Sequence, residues 1–263
     1  MPFAELGDVK LFYTDEGSGD RTLLFVHGYS CDSHDWSWQL PFFVQHQRVI
    51  AVDLRGHGRS SAPAAGYSAI ELAHDLRRLL HLLKVEEVIA FGHSMGGVVV
   101  SALAVEEPAL VAALVCVDPA YLQPDNLLVG LEPVFAALQG ENAQAVVQRM
   151  FDGMDPPDRS MALRTWHGRR ALGVEPHVLR QAFESQVRGL ALTSNSHPYL
   201  ARRSCPVLSF YADSSRCELE SAVFGDERSR CIGWEGAGHW LHQERPGEFN
   251  AVAAAWIASL FPA

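Results

Sequence analysis

The sequence contains no long hydrophobic run. No stretch approaches the roughly 18 consecutive apolar residues that indicate a membrane-spanning helix. The opening segment, residues 1–6, has neither the basic nor the apolar region of a secretory signal peptide, so none is predicted. We therefore expect no association with a membrane.

Basic residues are also fewer than acidic ones. The chain carries 21 Lys and Arg residues against 31 Asp and Glu residues, a formal net charge of −10. An acidic surface repels the phosphate groups of nucleic acids and of anionic lipids. The composition thus argues against nucleic acid as a partner and leaves a small molecule as the expected one, while the oligomeric state stays open.

Cysteine is scarce, and its spacing excludes several kinds of site. The five cysteines form no C-x-x-C pair, and no group of residues shows metal-ligand spacing, a phosphate loop or a dinucleotide fingerprint. We therefore predict no metal ion and no organic cofactor. The count is odd, and Cys116 and Cys205 lie in or beside apolar runs as small hydrophobic residues, which favours a reducing, cytoplasmic compartment.

What the chain does contain is a series of short apolar runs separated by helical patterns. The runs have the length of strands buried on both faces of a sheet. They are residues 22–26, 48–54, 88–91, 111–117, 206–211 and 230–234. Residues 1–20 predict an antiparallel hairpin at the sheet edge. The alternation predicts an α/β fold, with a mostly parallel twisted sheet and helices on both faces.

Between residues 120 and 203 this alternation stops. Helical segments with methionine and aromatic residues follow one another, and no apolar run of strand length occurs. We predict a helical cap over 120–203, inserted after the strand that ends at Asp118, on a core formed by 1–119 and 204–263. Ligands of such sheets bind at the carboxyl ends of the strands, and the cap would close over that edge.

The most informative stretch is residues 88–97, Val-Ile-Ala-Phe-Gly-His-Ser-Met-Gly-Gly. An apolar run ends in G-x-S-x-G and small apolar residues follow, which is the strand, turn and helix context of a nucleophile elbow. The turn is so tight that side chains at Gly92 and Gly96 would collide with the neighbouring strand and helix. We predict that Ser94 is a nucleophile exposed at the strand end, above the positive end of the next helix.

Four motifs together resemble the α/β-hydrolase superfamily. They are residues 27–28, 53–60, 92–97 and 236–239, and they occur in the order that the family has. The resemblance covers nearly the whole chain outside the predicted cap. It implies the α/β-hydrolase fold and says far less about the substrate, because one fold hosts many activities.

The resemblance also implies roles around Ser94. His239, on a glycine-rich loop after the last strand, is the base that takes the serine proton. Two backbone N–H groups form the oxyanion hole, that of Met95 after the nucleophile and that of Tyr29 after the first buried strand.

Two aspartates compete for the third position of the triad. Most of the superfamily carries the acid after the fifth buried strand in a Gly-x-x-Asp turn, and that position is Ser215 here. Asp213 lies two residues too early, although a shifted turn would rescue it. Asp118 ends the strand beside the elbow strand, where one subgroup of haloalkane dehalogenases and zearalenone-type lactonases carry their acid. We predict Asp118 and keep Asp213 as the alternative.

These roles predict a serine hydrolase of carboxylic esters or lactones that acts through an acyl-enzyme. A serine nucleophile argues against haloalkane dehalogenases and soluble epoxide hydrolases, which need an aspartate. Cofactor-free oxygenases or perhydrolases, C–C bond hydrolases and ligand receptors on the same fold stay open. The substrate is expected to be small and apolar, and three aromatic residues are predicted to bind it: Tyr121, Trp166 and Trp240.

Overall fold

The computed structural model describes residues 3–140, 142–154 and 160–262 of the chain. Within these ranges the strands are β1 Phe3–Glu5, β2 Lys10–Glu16, β3 Thr22–Val26, β4 Arg48–Val52, β5 Val88–His93, β6 Val111–Val117, β7 Val207–Tyr211 and β8 Arg230–Gly233. The helices are α1 Leu40–Phe43, α2 Ala69–Leu82, α3 Met95–Glu106, α4 Leu127–Leu138, α5 Ala143–Met154, α6 Met161–Leu172, α7 Pro176–Gln186, α8 Thr193–Leu200, α9 Arg216–Ser221, α10 Leu241–Glu244 and α11 Pro246–Leu260. A 3₁₀ turn spans Ser33–Trp36, and a π-helical turn over Val187–Ala191 follows α7.

The strands form one sheet in the order β1-β2-β4-β3-β5-β6-β7-β8. Strands β3 to β8 are parallel, whereas β1 pairs antiparallel with β2, and β2 pairs antiparallel with β4. The predicted mostly parallel sheet is confirmed. The chain goes from β3 to β4 on one side and then to β5 on the other, so the order reverses between β3 and β5. Ligand sites of open parallel sheets lie beyond the strand ends at such a reversal.

Apolar side chains cover both faces of the sheet. Along β5, Val88 and Ala90 belong to the hydrophobic cluster that α2 and α3 complete. Ile89 and Phe91 point the other way and join a second cluster with Phe249 of α11. This alternation follows from the two-residue period of a strand, and it explains why the run reads as continuously apolar.

Five helices, α4 to α8, occupy the interval between β6 and β7. In the described part of this interval no residue belongs to the main sheet, and an isolated bridge joins Gln123 to Leu192. The sequence pattern predicts helical segments over 131–138, 143–150, 161–166 and 178–183, which lie within α4 to α7. It misses α8, which is largely polar and contains Pro198. Residues 141 and 155–159 of the predicted cap lie outside the described residues.

A disulfide joins Cys217 of α9 to Cys231 of β8. No sequence motif pairs these two residues. Such cross-links persist mainly in oxidising compartments, so the cytoplasmic location stays a prediction that this bond does not favour. Among the described helices, none has the length and apolar character that crossing a membrane requires.

Candidate active site

Ser94 sits at the sharp turn between β5 and α3. Its backbone has φ 52° and ψ −115°, a region that costs a non-glycine residue about 1–3 kcal/mol. A Cβ on Gly92 would collide with the carbonyl oxygen of Gly96, and a Cβ on Gly96 with that of Val26 in β3. Glycine at these two positions is therefore a steric requirement of the turn that presents Ser94.

His239 and Asp118 meet in the loops that follow β8 and β6. His239 Nδ1 lies 2.5 Å from Asp118 Oδ2, and the other carboxylate oxygen accepts the Ala212 backbone N–H at 3.3 Å. Burial alone would raise the pKa of the Asp118 carboxyl, but the hydrogen bond and charge of His239 hold it below its usual value. A carboxylate at Nδ1 leaves Nε2 of His239 as the proton acceptor.

Asp213, the competing aspartate, faces solvent. Its carboxylate accepts the backbone N–H of Ser215, two residues further along the same turn. The structure therefore brings His239 to Asp118 and leaves Asp213 capping its own turn.

A cavity of about 350 Å³ opens at the carboxyl ends of the strands. Ser94, Asp118 and His239 all line it. Its other polar lining residues are His93, Gln123, Gln186 and Arg216. The rest of the wall is largely apolar: Tyr29, Pro119, Ala120, Met150, Phe151, Met154, Phe183, Ala212, Ala237, Gly238 and Trp240.

Tyr29 and Met95 lie on either side of Ser94. Met95 follows it as the first residue of α3, where a helix leaves its N–H groups without an intrahelical acceptor. Tyr29 lines the cavity after β3, and its hydroxyl donates to the carbonyl of Leu179 in α7 at 2.7 Å. The oxyanion role of their backbone N–H groups stays a prediction.

The three predicted substrate-binding aromatics have different positions. Trp240 lines the cavity and packs edge-on against His239. Tyr121 is fully buried behind the cavity, with its hydroxyl on Glu220, and does not line it. Trp166 packs against Trp38 beside a separate, open cleft. Periodicity alone could not separate these positions, because packing decides which aromatic residues of a helix or loop face a cavity.

Sequence reasoning missed a buried charged group beside Ser94. The Asp35 carboxylate accepts four hydrogen bonds: from Gly28 N–H at 3.1 Å, His93 Nδ1 at 2.8 Å, Arg170 Nη1 at 3.1 Å and Gln243 Nε2 at 2.8 Å. Burial opposes ionisation of Asp35, but the charges of His93 and Arg170 hold its pKa well below its usual range.

This group connects several parts of the site. The other ring nitrogen of His93 lies 3.0 Å from the backbone oxygen of His239. Arg170 comes from α6, within the predicted cap, and thus joins that segment to the core. We call five residues the Asp35 cluster: Asp35, His93, Arg170, His242 and Gln243. A histidine next to Ser94 in the G-H-S-M-G motif was the one available signal.

Asp35, His93 and His242 place ligand-type atoms within 4.8 Å of one another in the described structure. They are far apart in the sequence, so no spacing could indicate the group. The carboxylate is already occupied by four donors, and the Arg170 guanidinium lies against it. An added cation would meet this positive charge, so the contacts fit a hydrogen-bonded network better than a metal site.

A second buried group lies behind Asp118. Glu220 of α9 accepts hydrogen bonds from Tyr121 at 3.0 Å, Arg203 at 2.9 Å and Tyr211 at 2.7 Å. Arg203 also donates to Ser101 of α3 at 3.3 Å. We call these five residues the Glu220 cluster. Tyr211 directly precedes the residue whose N–H binds Asp118, so the cluster supports that loop.

Comparison with known proteins gives related sequences. A sequence model described as the alpha/beta hydrolase family matches residues 23–252. A dihydrolipoyllysine-residue acetyltransferase component of an acetoin cleaving system from Cupriavidus necator is 35% identical over 117 residues, 44% of this chain and 31% of that protein. A non-heme haloperoxidase from Rhodococcus erythropolis is 35% identical over 155 residues, 58% of this chain and 52% of that protein. The chain thus matches about a third to a half of the length of these relatives.

Solved structures share the fold over nearly the full chain. An enol-lactonase from Burkholderia xenovorans LB400 superposes with a TM-score of 0.85 at 21% identity, covering 98% of this chain and 100% of that one. A hydrolase from Pseudomonas aeruginosa PA01 gives 0.84 at 26% identity, with 100% and 98% coverage. Est816, an N-acyl homoserine lactone degrading enzyme, gives 0.81 at 24% identity, with 97% and 99% coverage.

Proposed function

Because this chain belongs to the alpha/beta hydrolase family, we propose that it hydrolyses carboxylic esters or lactones through an acyl-enzyme formed on Ser94. The observation that carries the proposal is the 2.5 Å contact between His239 Nδ1 and Asp118 Oδ2 in the cavity that Ser94 also lines. This contact orients the His239 imidazole as a base. The strained turn places Ser94 in the same cavity.

In the proposed first half-reaction, Ser94 Oγ attacks the carbonyl carbon and His239 Nε2 takes its proton. The N–H groups of Tyr29 and Met95 stabilise the negative charge that develops on the carbonyl oxygen. His239 then gives the proton to the departing alkoxide. In the second half, water attacks the acyl carbon, His239 takes a proton from the water, and Ser94 leaves with that proton.

Asp118 is the proposed acid of the triad. Its carboxylate fixes the tautomer of His239 and stabilises the imidazolium that forms in both halves of the reaction. The pKa of Asp118 is lowered, so the carboxylate is charged at neutral pH and can carry this role.

We also propose that residues 120–203 act as a cap that selects the substrate. Support comes from Met150, Phe151 and Met154 of α5 and from Phe183 of α7, which line the apolar wall of the cavity. Replacing Phe183 with Ala should broaden the range of acyl lengths that are hydrolysed. Equal rates for short and long acyl esters in both proteins would contradict the selecting role.

The test of the nucleophile is labelling with a fluorophosphonate. One adduct should form, on Ser94, and Ser94→Ala should lose labelling together with turnover of p-nitrophenyl esters.

Asp118→Asn should lower kcat by about 10⁴, because the imidazolium loses its counter-charge. Asp213→Asn is the matched control and should cost far less. Labelling at another residue, or the reverse ranking of the two aspartate variants, would overturn the assignment.

A second candidate function, perhydrolysis, uses the same acyl-enzyme. The haloperoxidase relatives favour it. Hydrogen peroxide would replace water as the attacking nucleophile, so that a peracid leaves and Ser94 regains its proton. Peracid formation from an ester and hydrogen peroxide, followed by bromide oxidation, should then exceed that of Ser94→Ala. Equal rates in the two proteins would exclude this candidate.

A further inference from the structure

Besides His93, which belongs to the Asp35 cluster, three polar side chains line the cavity without a part in the proposed reaction: Gln123, Gln186 and Arg216. They come from the loop after β6, the end of α7 and the start of α9. Arg216 and Gln123 are both linked to their surroundings through residues 121–123. Arg216 Nη2 donates to the carbonyl of Tyr121, and Gln123 N–H donates to the carbonyl of Ala191, one turn after Gln186.

Arg216 brings a positive charge to the cavity wall. In the described part of the chain it forms no ion pair, and its Nε is buried without a hydrogen-bond partner. Its guanidinium lies 5.0 Å from the centre of the Tyr211 ring, which holds the group in place. A guanidinium that is held in place and forms no ion pair can bind a planar anion through its N–H donors.

Gln186 adds an amide to the same end. The residue is 8% exposed, and its side-chain amide has no hydrogen-bond partner within the described residues. Gln123 bonds through its backbone, while its side-chain amide is also free there. The polar atoms of both amides are accessible from the cavity, so a polar group of a ligand can bond to them.

We infer that this polar end, formed by Gln123, Gln186 and Arg216, binds a carboxylate carried by the substrate. The substrate class is then an ester or lactone with an anionic group away from the reacting carbonyl. This inference rests on the proposed function. It replaces the expectation of a wholly apolar substrate with one whose apolar part lies along α5 and whose charged end meets Arg216.

The other charges near Arg216 leave it available. The carboxylate of Asp118 is engaged by His239 and by the Ala212 N–H. Asp213 faces solvent and accepts the Ser215 N–H. The charge of Arg216 acts on Asp213, but the two form no ion pair in the described structure. An incoming carboxylate therefore meets a guanidinium that is bound to the Tyr121 carbonyl through one nitrogen and has no ion-pair partner among the described residues.

The experiment compares matched neutral and anionic substrates. The anionic set is the p-nitrophenyl monoesters of succinic, glutaric and adipic acid, and the neutral set is the butyrate, valerate and hexanoate esters of the same acyl length. A second pair of series places the carboxylate in the alcohol half, as acetyl esters of hydroxy acids. At the best length, kcat/KM for the anionic substrate should exceed that for its neutral match by about 10- to 100-fold.

Variants test whether Arg216 supplies the preference. Arg216→Gln should abolish it, Arg216→Lys should keep part of it because the charge remains, and Gln186→Leu should reduce it by about 3- to 10-fold. Arg228→Gln, an exposed arginine paired with Asp226, is the matched control and should keep the full preference. No preference for the anionic series in wild type, or an unchanged one in Arg216→Gln, would overturn the inference. A neutral glutaramide ester preferred as strongly as the glutarate would also overturn it.

A binding measurement separates this inference from the proposed function. Ser94→Ala cannot form an acyl-enzyme, so calorimetric titration with monomethyl glutarate and with methyl valerate reads recognition alone. If Ser94→Ala binds the glutarate monoester more tightly than methyl valerate but wild type hydrolyses no ester, the proposed hydrolase activity is refuted and the carboxylate site is supported. Hydrolysis of neutral esters with equal binding of both probes would refute the carboxylate site alone.

Discussion

Two buried charged clusters flank the candidate active site, and their chemistry differs. In the Asp35 cluster the carboxylate meets only nitrogen donors, two of which are backbone or amide N–H groups. In the Glu220 cluster it meets one guanidinium and two phenol hydroxyls. A hydroxyl group can rotate to donate or accept, whereas a backbone, amide or guanidinium N–H can only donate. Three of the four donors to Asp35 are therefore fixed and only His93 can switch, by a change of tautomer, whereas two of the three donors to Glu220 are adaptable.

The clusters also hold different parts of the site. The Asp35 cluster contacts the glycine before Tyr29 and the backbone of His239. Its member His93 directly precedes Ser94, and Arg170 connects it to α6. The Glu220 cluster lies behind Asp118 and joins α9 to β7 and α3. A substitution in the Asp35 cluster should therefore disturb more of the proposed catalytic groups than a substitution in the Glu220 cluster.

The largest expected effect is on stability, from removing each carboxylate charge in turn. Asp35→Asn places an NH₂ group among N–H donors and leaves Arg170 only its longer, 3.8 Å ion pair with Asp32, so it should destabilise the fold by about 3–5 kcal/mol. Glu220→Gln also leaves a buried arginine, but the phenols of Tyr121 and Tyr211 can reorient. Its cost should lie at about 2–3 kcal/mol, since the hydroxyl contacts persist.

Urea unfolding, followed by circular dichroism, measures both values. Asp8→Asn serves as a control, because Asp8 is an exposed acid bonded to two arginines and its loss should cost about 1 kcal/mol or less. Equal costs for Asp35→Asn and Glu220→Gln would show that hydroxyl reorientation does not distinguish the clusters.

The next effect is on catalysis and concerns His93 as a positioning residue. His93→Asn keeps a donor near Asp35 but cannot reach the His239 carbonyl, so the base should shift and kcat should fall by about 10- to 100-fold. His93→Gln can reach that carbonyl and should recover part of the loss. Tyr211→Phe, which removes one hydroxyl from the Glu220 cluster, should change kcat by less than about 3-fold.

The readout is kcat for a neutral p-nitrophenyl ester, with its pH profile, at a temperature where all variants are folded. A loss that is the same for His93→Asn and His93→Gln would assign the effect to packing beside Ser94. A loss as large in Tyr211→Phe would remove the contrast between the clusters.

The turn at Ser94 was predictable because its constraints are local. Gly92 and Gly96 are required by the turn itself, whereas the proposed role of His239 came from the resemblance of residues 236–239 to a family motif. The geometry around Asp118 was also open to sequence reasoning, since Ser215 stands at the usual acid position and cannot hold a charge. Short-range sterics and strand order are visible in one sequence.

The clusters were not predictable because they depend on distant partners. Asp35 and Glu220 carry no motif, and their donors come from segments that only the folded sheet brings together. The same limit applies to pocket residues. Tyr121 belongs to the Glu220 cluster and Trp166 packs against Trp38, although both have the apolar character of a pocket lining.

The smallest effect concerns pH, because imidazoles occur in the Asp35 cluster and not in the Glu220 cluster. His242 is fully buried: Nε2 lies 3.1 Å from the Asp35 carbonyl, and Nδ1 has no hydrogen-bond partner in the described structure. Burial, reinforced by the charge of His93, holds the pKa of His242 well below its usual value. In the Glu220 cluster, burial raises the pKa of both phenols well above theirs. Only the first cluster therefore holds a group that takes up a proton on unfolding between neutral pH and pH 5.

As pH falls through about 6.5, unfolded chains protonate at residue 242 while the folded imidazole stays neutral. The unfolded state then binds more protons, so the stability from His242 is complete above that pH and declines below it. The decline approaches about 1.4 kcal/mol per pH unit for one such group.

His242→Gln keeps an N–H donor for the Asp35 carbonyl and does not titrate. Its free energy of unfolding in urea should fall less steeply between pH 7.5 and 5.5 than that of wild type. Tyr211→Phe should retain the wild-type slope, since it leaves every imidazole in place. Parallel curves for wild type and His242→Gln would mean that residue 242 is protonated in the folded protein too, and that the two clusters do not differ in their response to acid.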